Sequence, residues 1–96
     1  MIFIKHLVWD DWNKTHIARH NVTPDEVEEM CQADPQTDGA KKGRIRVTGK
    51  TSTGRIISAF LDPESEEGVY YTVSCRDASK KERRAYETWI KGGEAA

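Results

Sequence analysis

The chain has 96 residues and a mass of 10.9 kDa, enough for one modest hydrophobic core and not for two. With 36% apolar residues, 32% charged residues and a formal net charge of −1, it is neither a disordered chain nor a generic polyanion binder. Cys31 and Cys75 lack metal-ligand spacing, and Lys5 and His6 follow the first apolar residues too soon for a signal peptide or membrane span, so one domain over 1–96 in a reducing cytoplasm, with no membrane contact, is expected.

Residues 2–9 are rich in strand formers and are expected to make a first strand, ended by Asp10 or Asp11, either of which can cap a helix. Trp12, His16 and His20 then recur at i, i+4 and i+8, giving a short helix with an aromatic and histidine face, and Asn21 suits its C-terminal end. Thr23, Pro24 and Glu26 form a capping box with proline at the first helical position, and Val22 and Val27 stand at the two positions of a hydrophobic staple. That second helix, 24–33, is expected to stop before Asp34-Pro35 and to pass into a polar loop through Lys42.

Three strands are predicted next, over 44–49, 55–61 and 69–76, joined by turns at 51–54 and 62–68, and hence an antiparallel meander. Alternation in the last strand would put Val69, Tyr71, Val73 and Cys75 on one face and Tyr70, Thr72, Ser74 and Arg76 on the other. Ser79 and Glu82 have capping-box spacing and open a terminal helix over 80–91 with Tyr86, Trp89 and Ile90 as its apolar stripe, leaving 92–96 as a frayed tail. The expected fold is α+β, in the order β-α-α-β-β-β-α, with helices packed on the sheet.

Charge is segregated along the chain. Residues 1–39 hold three Lys/Arg and eight Asp/Glu, residues 40–61 six and none, and residues 62–96 six and eight. Lys80, Lys81, Arg83 and Arg84 crowd the first turns of the last helix, where the macrodipole disfavours cations, which makes sense beside a partner carrying several negative charges. Arg44 and Arg46 share a strand face, Arg55 begins the next strand and Arg76 ends the third, so these guanidinium groups could surround one concave phosphate-binding surface, with Tyr70 stacking a base. A merely solvated face would also carry such residues.

His16 and His20 have the spacing of a metal pair without a third ligand, so no metal site is expected. Either could be a proton-transfer group; otherwise His16 packs on Trp12 or on the sheet as a partly buried helix-face residue, and His20 makes a hydrogen bond that fixes the interhelix turn. Glu26, Glu28 and Glu29 read as a solvated face, and the two cysteines as small buried residues.

Trp9-Asp10, the short helix closing on Arg19-His20, the run Val22-Thr23-Pro24-Asp25-Glu26, Gly54-Arg55 and the segment SCRDASKKERRAYE at 74–87 together resemble the BrnT family of type II toxins, over about residues 4–87. The last segment is the most specific, being close to S-A-R-x-A-[ST]-x-x-E-R-x-x-Y-E. The chain departs from the pattern at Asn21, where glycine commonly follows the histidine, at Cys75, where alanine is usual, and in a first helix shorter by one residue and lacking a lysine before His20. The resemblance implies a RelE-like fold and metal-independent RNA cleavage, free or on the ribosome, that inhibits translation without a cofactor. It also implies a BrnA-like antitoxin as partner, through which alone the toxin would meet operator DNA. Carried over by position, Arg55, Arg76, Lys80 and Arg83 are the catalytic candidates, joined by His20. Arg44, Arg46, Tyr70, Lys81 and Arg84 are candidate RNA contacts. The alternative is an inactive RelE-like module that binds nucleic acid or antitoxin in autoregulation.

Overall fold

A computed structural model describes residues 3–39 and 41–95. Its elements are β1 (His6–Val8), α1 (Asp11–Ala18), α2 (Pro24–Gln32), β2 (Gln36–Gly39), β3 (Ile45–Lys50), β4 (Ile56–Pro63), β5 (Val69–Asp77) and α3 (Lys80–Ala95). The strands form one sheet in the order β1-β5-β4-β3-β2, with β1 parallel to β5 and every other pair antiparallel.

Local sequence signals account for the helix starts. Asp10 rather than Asp11 caps α1, exchanging hydrogen bonds with Asn13, while Thr23 and Glu26 form the second capping box over Pro24. Val22 and Val27 are both buried, as a staple requires. Ser79 and Glu82 complete the third box. The helix that follows continues through Gly92 and Gly93 to Ala95, past the expected limit at 91, because each residue added to an established helix closes one more backbone hydrogen bond. Expectations for Ile2 and Ala96 lie outside the described residues.

Leu7, Ile17, Val22, Val27, Met30, Val47, Ile57, Ala59, Leu61 and Cys75 form the core between the sheet and α1 and α2. On the opposite sheet face, α3 packs against β3 and buries Tyr86 and Glu82. The result is three layers with the sheet in the middle, and no described helix is long and apolar enough to cross a membrane. Gly49 shows how tightly the first interface is filled. A Cβ there would lie 2.8 Å from Met30 Cγ and 3.2 Å from Pro35 Cβ, so Gly49→Ala is expected to destabilise the protein by about 1–3 kcal/mol, measurable by urea unfolding.

Three expectations are corrected. The polar loop after α2 contains a fourth meander strand, β2, in which only Thr37 is a strand former and Asp38 and Gly39 are disfavoured, so that the segment is extended through pairing with β3. α1 ends at Ala18, so His20 sits in the following turn, with Asn21 at φ 58, and does not continue the helix face. Finally, a β-bulge between Phe60 and Leu61 inserts Val73 into β5: Phe60 pairs with Ser74 but Leu61 pairs with Thr72. Beyond the bulge the faces exchange, so Tyr70 and Thr72 lie on the core face with Cys75 and not beside Arg76.

Candidate functional site

The start of β4, the end of β5 and the start of α3 meet at one end of the sheet, and the turn after α1 is drawn to the same corner by Arg55. The Arg55 side chain is one-quarter exposed. Its Nε donates to Asp77 at 2.8 Å, Nη2 to the His20 carbonyl at 3.1 Å, and Nη1 to the Asn21 carbonyl and to Glu26 at 3.3 Å. A planar guanidinium can serve this many acceptors at once; an ammonium cannot. The hydrogen bond that Arg55 donates to Asp77 leads the effects that raise the Arg55 pKa, and its four acceptors tie the His20 turn, α2 and the end of β5 together.

Arg76 is on the α3 face of β5. It makes a bidentate pair with Glu82 at 2.8 and 3.0 Å, donates to the Asp77 carbonyl and lies 5.2 Å over the Phe60 ring. The Glu82 side chain is only 9% exposed and also accepts from the Ser79 N–H and the Ser58 hydroxyl, with Arg46 3.6 Å away. The Arg76 hydrogen bonds, opposed by burial and aided by Ser79 and Ser58, hold its carboxyl down at about 2. Glu82 therefore stays ionised and is poorly suited to take a proton.

Lys80, Lys81, Arg83 and Arg84 are all exposed and enter none of the ion pairs found among the described residues. They do not converge on one point. Helical spacing places Arg83 on one flank of the buried Glu82–Tyr86 stripe and Lys81 on the other, with Lys80 and Arg84 outermost. Lys81 and Arg84 line a groove of about 540 Å³ with Gln36, Thr88 and Trp89. The capping box occupies the N–H groups of Ser79 and Glu82; those of Lys80 and Lys81 at the same helix start remain for another acceptor.

The remaining candidates are arranged differently. Arg44 is paired with Asp62 at 2.8 and 3.1 Å near the far end of the sheet, whereas Arg46, paired with Asp38 at 2.6 Å, also reaches Glu82 at 3.6 Å and so borders the Arg76 pair. Tyr70 packs against the core. The glutamates of α2, read as a solvated face, instead fasten that helix to its neighbours: Glu28 accepts from the Trp9 indole, Glu29 from the Ser52 N–H and Glu26 from Arg55. Burial pushes the Cys31 and Cys75 thiols up to about 12, which leaves them protonated and unreactive. No group of three or more His, Cys, Asp or Glu that could hold a metal occurs among the described residues.

Asp77 and Glu82 are partners of the arginines that the sequence pattern does not reveal. Glu82 was legible as a cap, but nothing in strand or helix periodicity links it to Arg76 six residues earlier. Asp77 lies inside the resembling segment, and its pairing with Arg55 spans 22 residues and exists only once β4 and β5 are aligned.

No family model and no curated protein matches the chain. Among solved structures, it is similar to the crystal structure of the Brucella abortus ribonuclease toxin BrnT, with a TM-score of 0.62 and 23% identity over 78% of this chain and 97% of that one. The resemblance drawn from the sequence is thus met in three dimensions, and this chain has the fold of BrnT.

Proposed function

We propose that the protein is the toxin of a type II toxin–antitoxin system and acts as an endoribonuclease. The observation that carries this reading is the unpaired cation cluster Lys80, Lys81, Arg83 and Arg84 at the α3 start, on a chain with the fold of a ribonuclease toxin. Cleavage proceeds without a metal: the 2′-oxygen of one nucleotide attacks the adjacent phosphorus, the 5′-oxygen leaves, and the products are a 2′,3′-cyclic phosphate and a 5′-hydroxyl. Negative charge grows on the phosphoryl oxygens, and preorganised cations at hydrogen-bond distance stabilise it. Lys80 and Arg83 take that role, with Arg76 held rigid by Glu82 beside them. His20, exposed in the turn that Arg55 holds at this corner, moves the proton. Lys81 and Arg84 guide the flanking phosphates. Arg44 and Arg46, each already paired with an aspartate, contribute less than their charge suggests. A BrnA-like antitoxin neutralises the toxin by covering the same cations with carboxylates, and cleavage of cytoplasmic RNA inhibits translation.

Purified protein is expected to cut RNA in the presence of EDTA. The double variant Lys80→Ala/Arg83→Ala is expected to lose about 10²-fold or more in rate. Its melting temperature should hold or rise slightly, because cations at a helix N-terminus are unfavourable by a few tenths of a kcal/mol each. Wild-type activity in the double variant would remove the phosphate site from the α3 start. Intact RNA after incubation with folded wild-type protein and ribosomes would replace the enzyme with a binding module.

A further inference from the structure

The exposed face of α1 takes no part in the corner just described, yet it carries a built aromatic stack. The Trp12 and His16 rings lie 6° from parallel with centroids 4.9 Å apart, and His20 meets His16 edge-on at 6.0 Å and 74°. Trp12 is 58% exposed. Because His16 covers one face of the indole, the open surface is its other face and its edges. Asp11, Trp12, Thr15, His16 and Arg19 line a groove of about 480 Å³, and Arg19 enters none of the ion pairs found among the described residues. The carboxylate of Asp11 sits at the far end of this groove, in the first turn of α1, while Arg19 sits at the end nearer His20.

We infer that the Trp12–His16 pair is a stacking platform for an unpaired RNA base, with Arg19 contacting the adjoining phosphate. The inference rests on the ribonuclease reading and deepens it, by assigning a binding subsite beyond the cleaved phosphate. Three observations favour a base over a protein partner. A flat aromatic face beside an unpaired cation is the surface on which single-stranded nucleic acid stacks. A protein-binding face takes several contiguous apolar anchors, whereas Trp12 is the only large apolar side chain lining this groove. The ladder also runs from Trp12 through His16 to His20, whose carbonyl is held by Arg55, so the ring stack is continuous with the turn that Arg55 ties to the sheet corner.

Binding of a labelled 2′-O-methyl RNA single strand, which lacks the attacking hydroxyl and stays intact, tests this by fluorescence anisotropy. Trp12→Ala is expected to weaken single-strand binding about tenfold or more, Trp12→Phe to recover most of the loss, and Phe3→Ala, exposed elsewhere, to change nothing. Binding of a fully paired 2′-O-methyl duplex, whose bases are already stacked, should be the same for Trp12→Ala and wild type. Equal single-strand affinity of Trp12→Ala and wild type overturns the platform, and RNA cleavage by the same wild-type sample shows that the ribonuclease reading survives. Equal loss on single strand and duplex also overturns it, since stacking on an unpaired base cannot produce that result. Wild-type protein that neither binds the single strand nor cuts RNA sinks both.

Discussion

Glu82→Ala is expected to lower stability by about 3 kcal/mol and the melting temperature by roughly 12–24 °C, the largest loss from any single polar substitution in this chain. The carboxylate is nearly buried and holds four groups: Arg76 in a two-point pair, the Ser58 hydroxyl, the Ser79 N–H at the head of α3, and Arg46 at longer range. Removing it breaks one half of the capping box, leaving the Ser79 N–H without its acceptor, and leaves Arg76 with an unmatched charge beside the Phe60 ring. Its pH dependence follows from the same contacts. The folded carboxyl titrates at about 2, below its ordinary value of 4.5, so its stabilising effect is complete above about pH 4.5 and is lost as the pH falls toward 2. That depression corresponds to about 3 kcal/mol. Thermal melts of wild type and Glu82→Gln should therefore differ most above pH 5 and converge on acidification; a gap that stays constant down to pH 2 would show that the charge of Glu82 does not hold this junction.

Arg55→Ala is the second large effect, expected at about 2–3 kcal/mol in urea unfolding, with RNA cleavage falling alongside. The substitution strips hydrogen bonds from the carbonyls of His20 and Asn21 and removes the cation between Glu26 and Asp77. Arg55→Lys keeps the charge and is expected to recover less than half of the stability, because one ammonium cannot fork toward acceptors on the turn, α2 and β5 together. Full recovery by lysine would mean that charge alone matters at this position. The contrast with Lys80→Ala/Arg83→Ala is informative: there activity falls while stability holds, whereas at Arg55 the two fall together, since it positions the His20 turn as well as carrying charge near the proposed phosphate site.

The parts of the fold that could be read from the sequence are those decided between near neighbours in the chain. Each capping box joins residues three apart, as in Thr23 with Glu26 and Ser79 with Glu82, and the Val22–Val27 staple joins residues five apart, so their energetics are contained in a short segment whatever the rest of the chain does. Strand stretches with β-branched and aromatic residues, such as β4 and β5, were legible for the same reason. The exposed, unpaired cations of α3 were also correctly placed at a helix start, because a capping box lies directly before them.

Tertiary structure decided what depends on pairing across the sheet. Gln36, Thr37, Asp38 and Gly39 become a strand only because β3 presents an edge to them, and β1 joins the opposite edge parallel to β5, an arrangement no local pattern encodes. One inserted residue, Val73, reverses the faces of β5, because strand side chains alternate with a period of two and an added residue shifts all those beyond it. That slip carries Tyr70 away from the arginines. The arginines themselves illustrate the same limit. Their presence was plain in the sequence, but whether a guanidinium is free for phosphate depends on which carboxylates the fold brings beside it. Arg55 finds acceptors as many as 35 residues away and Arg76 finds Glu82 across a strand–helix corner, since charge interactions depend on distance in space rather than along the chain.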